Sequence, residues 1–199
     1  MSIHKLYRND GRSRVSIITR ADEAKIVSLL NNGTCSNRKE YFPDVADLVE
    51  VLVDTGMRLS EALELRYADV KFDDNLIAVR MGMSYKCRRV PMTKRVAAIL
   101  KRRQEINQQK PFNLTAYQIE RAWAWARAQI WVNGNPSLVL YSLRRTCVCR
   151  LVSAGVALDI VEEWLLCNRN KGYRRLAPLT SHLLTKAAEM LENSANTEL

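Results

Sequence analysis

Apolar side chains recur every three to four residues through most of the chain, the spacing of one helix face. Ile26, Leu29 and Leu30 share a side and predict a short amphipathic helix over 21–30, followed by loop chemistry over 31–39. Pro43 is placed to open a strong helix, Val45, Leu48, Val51 and Leu52 keep its register, and Gly56 is a natural stop. A further helix starts in 60–65, with Ser60 as its N-cap. Period two then takes over. Leu76, Ala78 and Arg80 alternate with Ile77, Val79 and Met81, and a second short strand near 88–92 lies within hairpin distance. Thr93 and Thr115 cap two long helices, KRVAAILKRRQEINQQ and TAYQIERAWAWARAQI, separated by the breakers Pro111 and Asn113. After the loop VNGNPS, Ser142 caps a helix that ends near Ala154 with Gly155 as the stop. Helices over 158–166 and 179–191 complete the pattern. The fold class is mostly α with a small antiparallel β-hairpin or sheet (α+β), and no internal repeat is visible.

The 199 residues suit a single domain over 21–195 behind a basic arm over 1–20. A hydrophobic share of 47% rules out bulk disorder, and only 7 glycines and 5 prolines argue against a turn-rich all-β fold. Neither a signal peptide nor an apolar run long enough to span a bilayer is visible. The 5 cysteines form no C-x-x-C pair and 2 histidines accompany them, which predicts reduced thiols in a cytoplasm and no metal centre. Cys147 and Cys149 read as small packing residues, and Trp123 and Trp125 point to different sides of one helix.

A formal charge of +10 makes a polyanion the default partner. The charge is unevenly placed. Residues 40–75 hold ten acidic side chains against three basic ones, whereas 84–110 hold nine basic ones against Glu105. A polyanion is therefore expected at the hairpin and the helix after it, although KRRQE also reads as a plain solvated helix face.

Two arginines stand out by position. Arg58, inside the acidic block, occupies a turn between two helices with Glu61 three residues on, so a carboxylate can aim it at an anion. Arg144 falls in the first turn of the helix opened by Ser142, where a helix N-terminus favours phosphate, and Tyr141 lies three residues before it.

The residues around these arginines resemble a known family. TGMRLSEALELRYADV is similar to the first arginine box of the tyrosine recombinases, also called phage integrases. Thr55, Gly56, Arg58, Glu61, Leu65, Asp69 and Val70 match its T-G-x-R-x-x-E-[AL]-x-x-L-x-x-x-D-[IV] pattern without a gap. LRRTCVCRLVSAGVALDIVEEWL resembles the second box, an H-x-L-R-[HR]-T-x-A-T helix followed by an A-G-V turn and another helix. YRRLAPLTSHLLTKAAEML resembles the segment that carries a nucleophilic tyrosine.

The resemblance implies the recombinase catalytic-domain fold. It also implies a site-specific enzyme of a phage or mobile element that cuts and rejoins double-stranded DNA in integration, excision or inversion. Arg58 and Arg144 would clamp the non-bridging oxygens of the scissile phosphate and stabilise its pentavalent transition state. Tyr173 would attack phosphorus to give a 3′-phosphotyrosyl link and a free 5′-hydroxyl. Lys86, on the hairpin, would protonate that leaving oxygen. The bond energy stays in the phosphotyrosine, so neither cofactor nor metal is called for. Arg88, Arg89, Lys94, Arg145, Arg174 and Arg175 would dock the DNA backbone. Four protomers would assemble on two synapsed sites, in a bacterial cytoplasm and on the nucleoid, and the last helix offers an apolar face to its own chain or to a neighbour. Relatives carry a separate N-terminal core-binding domain that closes a clamp round the duplex. Here a short basic arm stands in its place, so a lone protomer is expected to bind DNA weakly and to depend on assembly or a helper protein.

The chain departs from the family pattern in four places. Tyr141 stands where histidine is usual. Cys167 stands where histidine or tryptophan is usual, and a thiol donates weakly. The stretch from Cys167 to Tyr173 is short. Aligning VPM with the family's V-P-L puts the lysine site on Met83 rather than Lys86, with Arg88 as a poor fallback acid. The alternative reading is a catalytically degenerate DNA-binding or regulatory protein of the same fold. A helix-turn-helix regulator leaves the Arg58 box and the Tyr173 segment unexplained, and a membrane-surface binder lacks a basic amphipathic helix with large apolar anchors.

Overall fold

The computed structural model describes residues 17–32, 39–81, 84–130, 138–165 and 181–197, with side chains at 81–87, 181 and 196–197 left aside. Its helices are α1 (Arg20–Asn32), α2 (Phe42–Thr55), α3 (Leu59–Glu64), α4 (Lys94–Ile106), α5 (Ala116–Ile130), α6 (Tyr141–Ser153), α7 (Leu158–Leu165) and α8 (Ser181–Thr197). Between α3 and α4 run a 3₁₀ turn at Tyr67–Asp69 and strands β1 (Val70–Lys71), β2 (Leu76–Met81) and β3 (Ser84–Pro91), which form one antiparallel sheet in the order β1-β2-β3. The mostly helical α+β reading holds. β1 and the 3₁₀ turn leave no mark in the sequence pattern, because two paired residues are too few to show a period.

The core is organised round α2. Val45, Ala46, Leu48, Val49, Val51, Leu52 and Val53 are all buried, so this helix is apolar on nearly every side and is packed by α1, α4, α5 and α6. Pro in its first turn and Gly56 after its last residue mark its ends as the sequence predicts. The caps at Thr93 and Thr115 also form: Thr93 Oγ1 accepts from the Val96 N–H, and Thr115 Oγ1 from that of Gln118. Two expected caps do not. Ser60 lies inside α3, whose N-cap is Arg58, and Ser142 lies buried inside α6 because the backbone is already helical at Leu140. Trp123 is buried and donates to Leu138 O, while Trp125 packs its ring 5.2 Å from that of Phe42. Cys147 is fully buried and Cys149 partly so.

The two charge blocks meet each other. On α4, Arg95 reaches Asp54, Glu23 and Glu50, Arg102 reaches Asp47, and Arg103 reaches Asp44 and Asp47. The acidic face of α2 thus neutralises much of the basic face of α4, and the expectation that α4 as a whole fronts a polyanion is corrected. Lys94, at its start, keeps a 94% exposed side chain, 3.9 Å from Glu192 of α8. Glu192 also accepts from the Lys94 N–H, at the N-terminus of α4. The apolar face of α8, with Leu184, Ala187, Ala188 and Leu191, is buried on α6, α7 and β3 of its own chain. No described helix is long and apolar enough to cross a membrane.

A second ionic link ties the start of the described chain to α6. Ile18 donates its N–H to Thr146 Oγ1 at 3.0 Å and its carbonyl accepts from Arg150, while Arg150 pairs with Glu23 at 2.5 Å. Burial alone would raise the Glu23 carboxyl, but Arg150 and Arg95 together hold it below its ordinary value of 4.5. A depressed carboxylate adds stability that is present above its unfolded pKa and lost as pH falls through the folded one. Wild type is therefore expected to lose stability to acid below about pH 4.5 more steeply than Glu23→Gln. Urea midpoints over that pH range check this, and parallel slopes would refute it.

Candidate active site

α2, α3, β3, α6 and α7 converge on the turn that follows Gly56. Gly56 ends α2 in the left-handed region (φ 62°), and its N–H closes onto Leu52 O. An added Cβ there would stand 2.5 Å from Leu165 Cδ2 and 3.1 Å from Cys147 Sγ, so α6 and α7 approach the turn as closely as a glycine permits. Burial pushes the Cys147 thiol pKa well up, and its Sγ meets Asp54 O at 3.4 Å, so it packs as a neutral residue. α7 grips the same turn through a second residue: Trp164, fully buried, donates its indole N–H to Thr55 O at 2.8 Å.

The arginines are held on this frame. The extended backbone of Arg58 opens α3, and Glu61, three residues on, reaches back to it. Glu61 Oε2 accepts the Arg58 N–H at 2.7 Å, and Oε1 lies 3.1 Å from Arg58 Nη1. The Arg58 side chain is 53% exposed, so its fork faces solvent from one fixed edge. Arg144 is buried. It donates through Nη1 to Gly56 O, 88 residues away, and through Nη2 to Leu165 O. It does not point out of the α6 N-terminus but crosses to the Arg58 turn. The sequence-predicted pair is therefore brought together.

A third arginine joins them. Arg88 was expected to dock the DNA backbone, and the structure corrects this: its side chain is 1% exposed, pairs with Glu61 Oε2 at 2.5 Å and donates to Trp164 O at 3.1 Å. The signal for its burial was parity. Arg88 and Val90 are two apart on β3 and pair across the sheet with Val79 and Ile77, all buried. Burial lowers the Arg88 pKa, the Glu61 carboxylate opposes this, and neighbouring Arg144 and Arg58 add to the lowering. One carboxylate thus serves two guanidiniums beside a third, and the local excess of positive charge suits a bound anion such as phosphate.

Arg89 is partly exposed on β3 opposite Ala78. Tyr141 is the first residue of α6 and exposed, and Arg145 lies 5.4 Å over its ring. Lys86 lies on the β3 backbone, its side chain undescribed. Met83, Cys167, Tyr173, Arg174 and Arg175 lie outside the described residues. Among the described residues no group of three or more His, Cys, Asp or Glu side chains is arranged to hold a metal ion.

Residues 18–166 match the model of the phage integrase family. The chain belongs to this family. A probable integrase/recombinase protein of Methanocaldococcus jannaschii is 25% identical over 133 residues, covering 59% of this chain and 40% of that protein. A tyrosine recombinase of Thermosipho africanus is 28% identical over 126 residues, covering 59% and 43%. The chain thus spans less than half the length of these curated relatives. Among solved structures, the Tn1549 transposon integrase in complex with circular intermediate DNA superposes with a TM-score of 0.62 over 100% of this chain and 68% of its own, at 18% identity. XerH site-specific recombinase bound to a palindromic difH substrate gives 0.57 over 95% and 55%, at 21% identity. At such identities the likeness shows the fold alone, a mostly helical one with a small antiparallel sheet.

Proposed function

We propose that this phage-integrase chain is the catalytic module of a tyrosine-type site-specific recombinase acting on double-stranded DNA. One observation carries the reading. Arg58 and Arg144, from boxes far apart in the chain, meet at the Gly56 turn, one half-exposed and one buried, each held by protein acceptors. Such a pair offers directed, permanently charged donors to the oxygens of one phosphodiester. Tyr173 attacks phosphorus as its hydroxyl proton is released to solvent, the bond to the 5′ oxygen breaks, and that oxygen takes a proton from Lys86. The 3′-phosphotyrosyl link then passes to another strand's 5′-hydroxyl, with no net change in bond energy. Arg89, Lys94 and Arg145 supply partly or fully exposed cations for the flanking backbone, with Arg174 and Arg175 beside the nucleophile. Exchange between two sites calls for four protomers, and a helper protein would reinforce binding.

The test is a duplex carrying a nick that lets the cleaved flank diffuse away, resolved on a denaturing gel. A covalent protein–DNA band is expected with wild type and not with Tyr173→Phe. DNA binding by wild type without such a band would instead leave the degenerate, DNA-binding reading standing.

A further inference from the structure

Arg88 is an expensive residue in its place. A guanidinium with a 1% exposed side chain has lost its water, and Nε finds no acceptor among the described residues. Buried ion pairs are poor sources of stability, and an apolar side chain of similar volume commonly serves the fold as well. Its two contacts account for the cost differently. Nη2 holds Glu61 Oε2 at 2.5 Å, and the other oxygen of the same carboxylate holds Arg58. Nη1 holds Trp164 O at 3.1 Å, and the next carbonyl in the chain, Leu165 O, holds Arg144.

We infer that Arg88 is a positioning residue that braces both clamp arginines at once, Arg58 through Glu61 and Arg144 through the last turn of α7. This rests on the recombinase reading and deepens it. The brace works as a fork. Two donors in one rigid plane fix the angle between a carboxylate on α3 and a carbonyl on α7, and a single-point ammonium cannot span both. It also ties β3, the strand that carries Lys86, to the two supports. Arg88 does not touch DNA, and it acts by keeping the clamp set before a phosphate arrives.

The experiment uses Arg88→Met, which keeps volume and removes every donor, and Arg88→Lys, which keeps charge and removes the fork. Single-turnover cleavage of the nicked duplex at saturating protein is expected to slow on the order of 10²-fold in both, with the reactive fraction and the Kd for DNA unchanged. The salt dependence of binding should also stay as in wild type, whereas loss of a phosphate contact would flatten the slope by about one unit. Glu61→Gln combined with Arg88→Met should cost little more than Glu61→Gln alone, since one acts through the other. A wild-type rate constant in Arg88→Met, rescue by lysine, a flattened salt slope, or full additivity with Glu61→Gln would each overturn the brace. Side-chain nitrogen relaxation of the arginines in labelled protein gives a second readout that needs no cleavage. Arg58 and Arg144 should become mobile in Arg88→Met, and unchanged order would overturn the inference. If wild type itself forms no covalent band, the recombinase reading fails and the relaxation measurement alone decides the brace.

Discussion

Arg58→Ala is expected to leave the protein folded and bound to DNA while slowing strand cleavage by about 10²–10³-fold. The side chain is half-exposed and its ion pair with Glu61 is of the kind worth at most about 1 kcal/mol. Its loss should barely move the unfolding midpoint. Binding draws on many phosphates and Arg58 would meet one of them, so Kd should change little. Arg144→Ala should differ in a way the geometry dictates. It removes the second half of the clamp, and it also leaves Gly56 O and Leu165 O without their donor inside a packed region. Each buried acceptor so stranded costs roughly 1–3 kcal/mol. Arg144→Ala should therefore lose both cleavage and stability, and Arg58→Ala cleavage alone. Single-turnover cleavage, gel-shift titration and urea unfolding on both variants separate these outcomes. Equal losses of binding and cleavage in Arg58→Ala would make that residue a docking contact rather than part of a clamp.

The elements legible in the sequence were those written by local chemistry. Pro43 and Gly56 bracket α2, Thr93 caps α4, and the three-residue spacing of Arg58 and Glu61 gives the ion pair at the mouth of α3. The boxes gave Arg58 and Arg144, but not the direction of Arg144, which depends on Gly56 and Leu165 being brought beside α6 by tertiary packing. Charge was the misleading guide. A count along the chain separates an acidic block from a basic one, and only the packing of α2 on α4 shows that Arg95, Arg102 and Arg103 are occupied by Asp44, Asp47, Glu50 and Asp54, with Glu23 joining from α1. Arg88 was misplaced for the same reason. By charge it is one more cation, whereas its parity with Val90 sets it on the inward face of the sheet.

Of the two described glycines, Gly56 should tolerate an added methyl group far less well than Gly155. Both glycines have a left-handed backbone, φ 62° and φ 82°, so each alanine carries the same strain of about 1–2 kcal/mol. They differ in what the new Cβ meets. At Gly155 the nearest side-chain atom is Met190 Cε at 3.7 Å, an ordinary contact, whereas at Gly56 it is Leu165 Cδ2 at 2.5 Å. Relief there requires Leu165 to move, and overpacking of this kind adds about 1–3 kcal/mol. The sum, roughly 2–5 kcal/mol, is a large part of the 5–15 kcal/mol a domain has in hand. The same shift reaches the site, because Leu165 O and Gly56 O are the two acceptors that aim Arg144. Urea midpoints should therefore fall much further for Gly56→Ala than for Gly155→Ala, and the folded fraction of Gly56→Ala should also cleave slowly. Equal midpoints would mean that α7 yields freely at Leu165, and a rigid turn could then no longer be what holds the two arginines together.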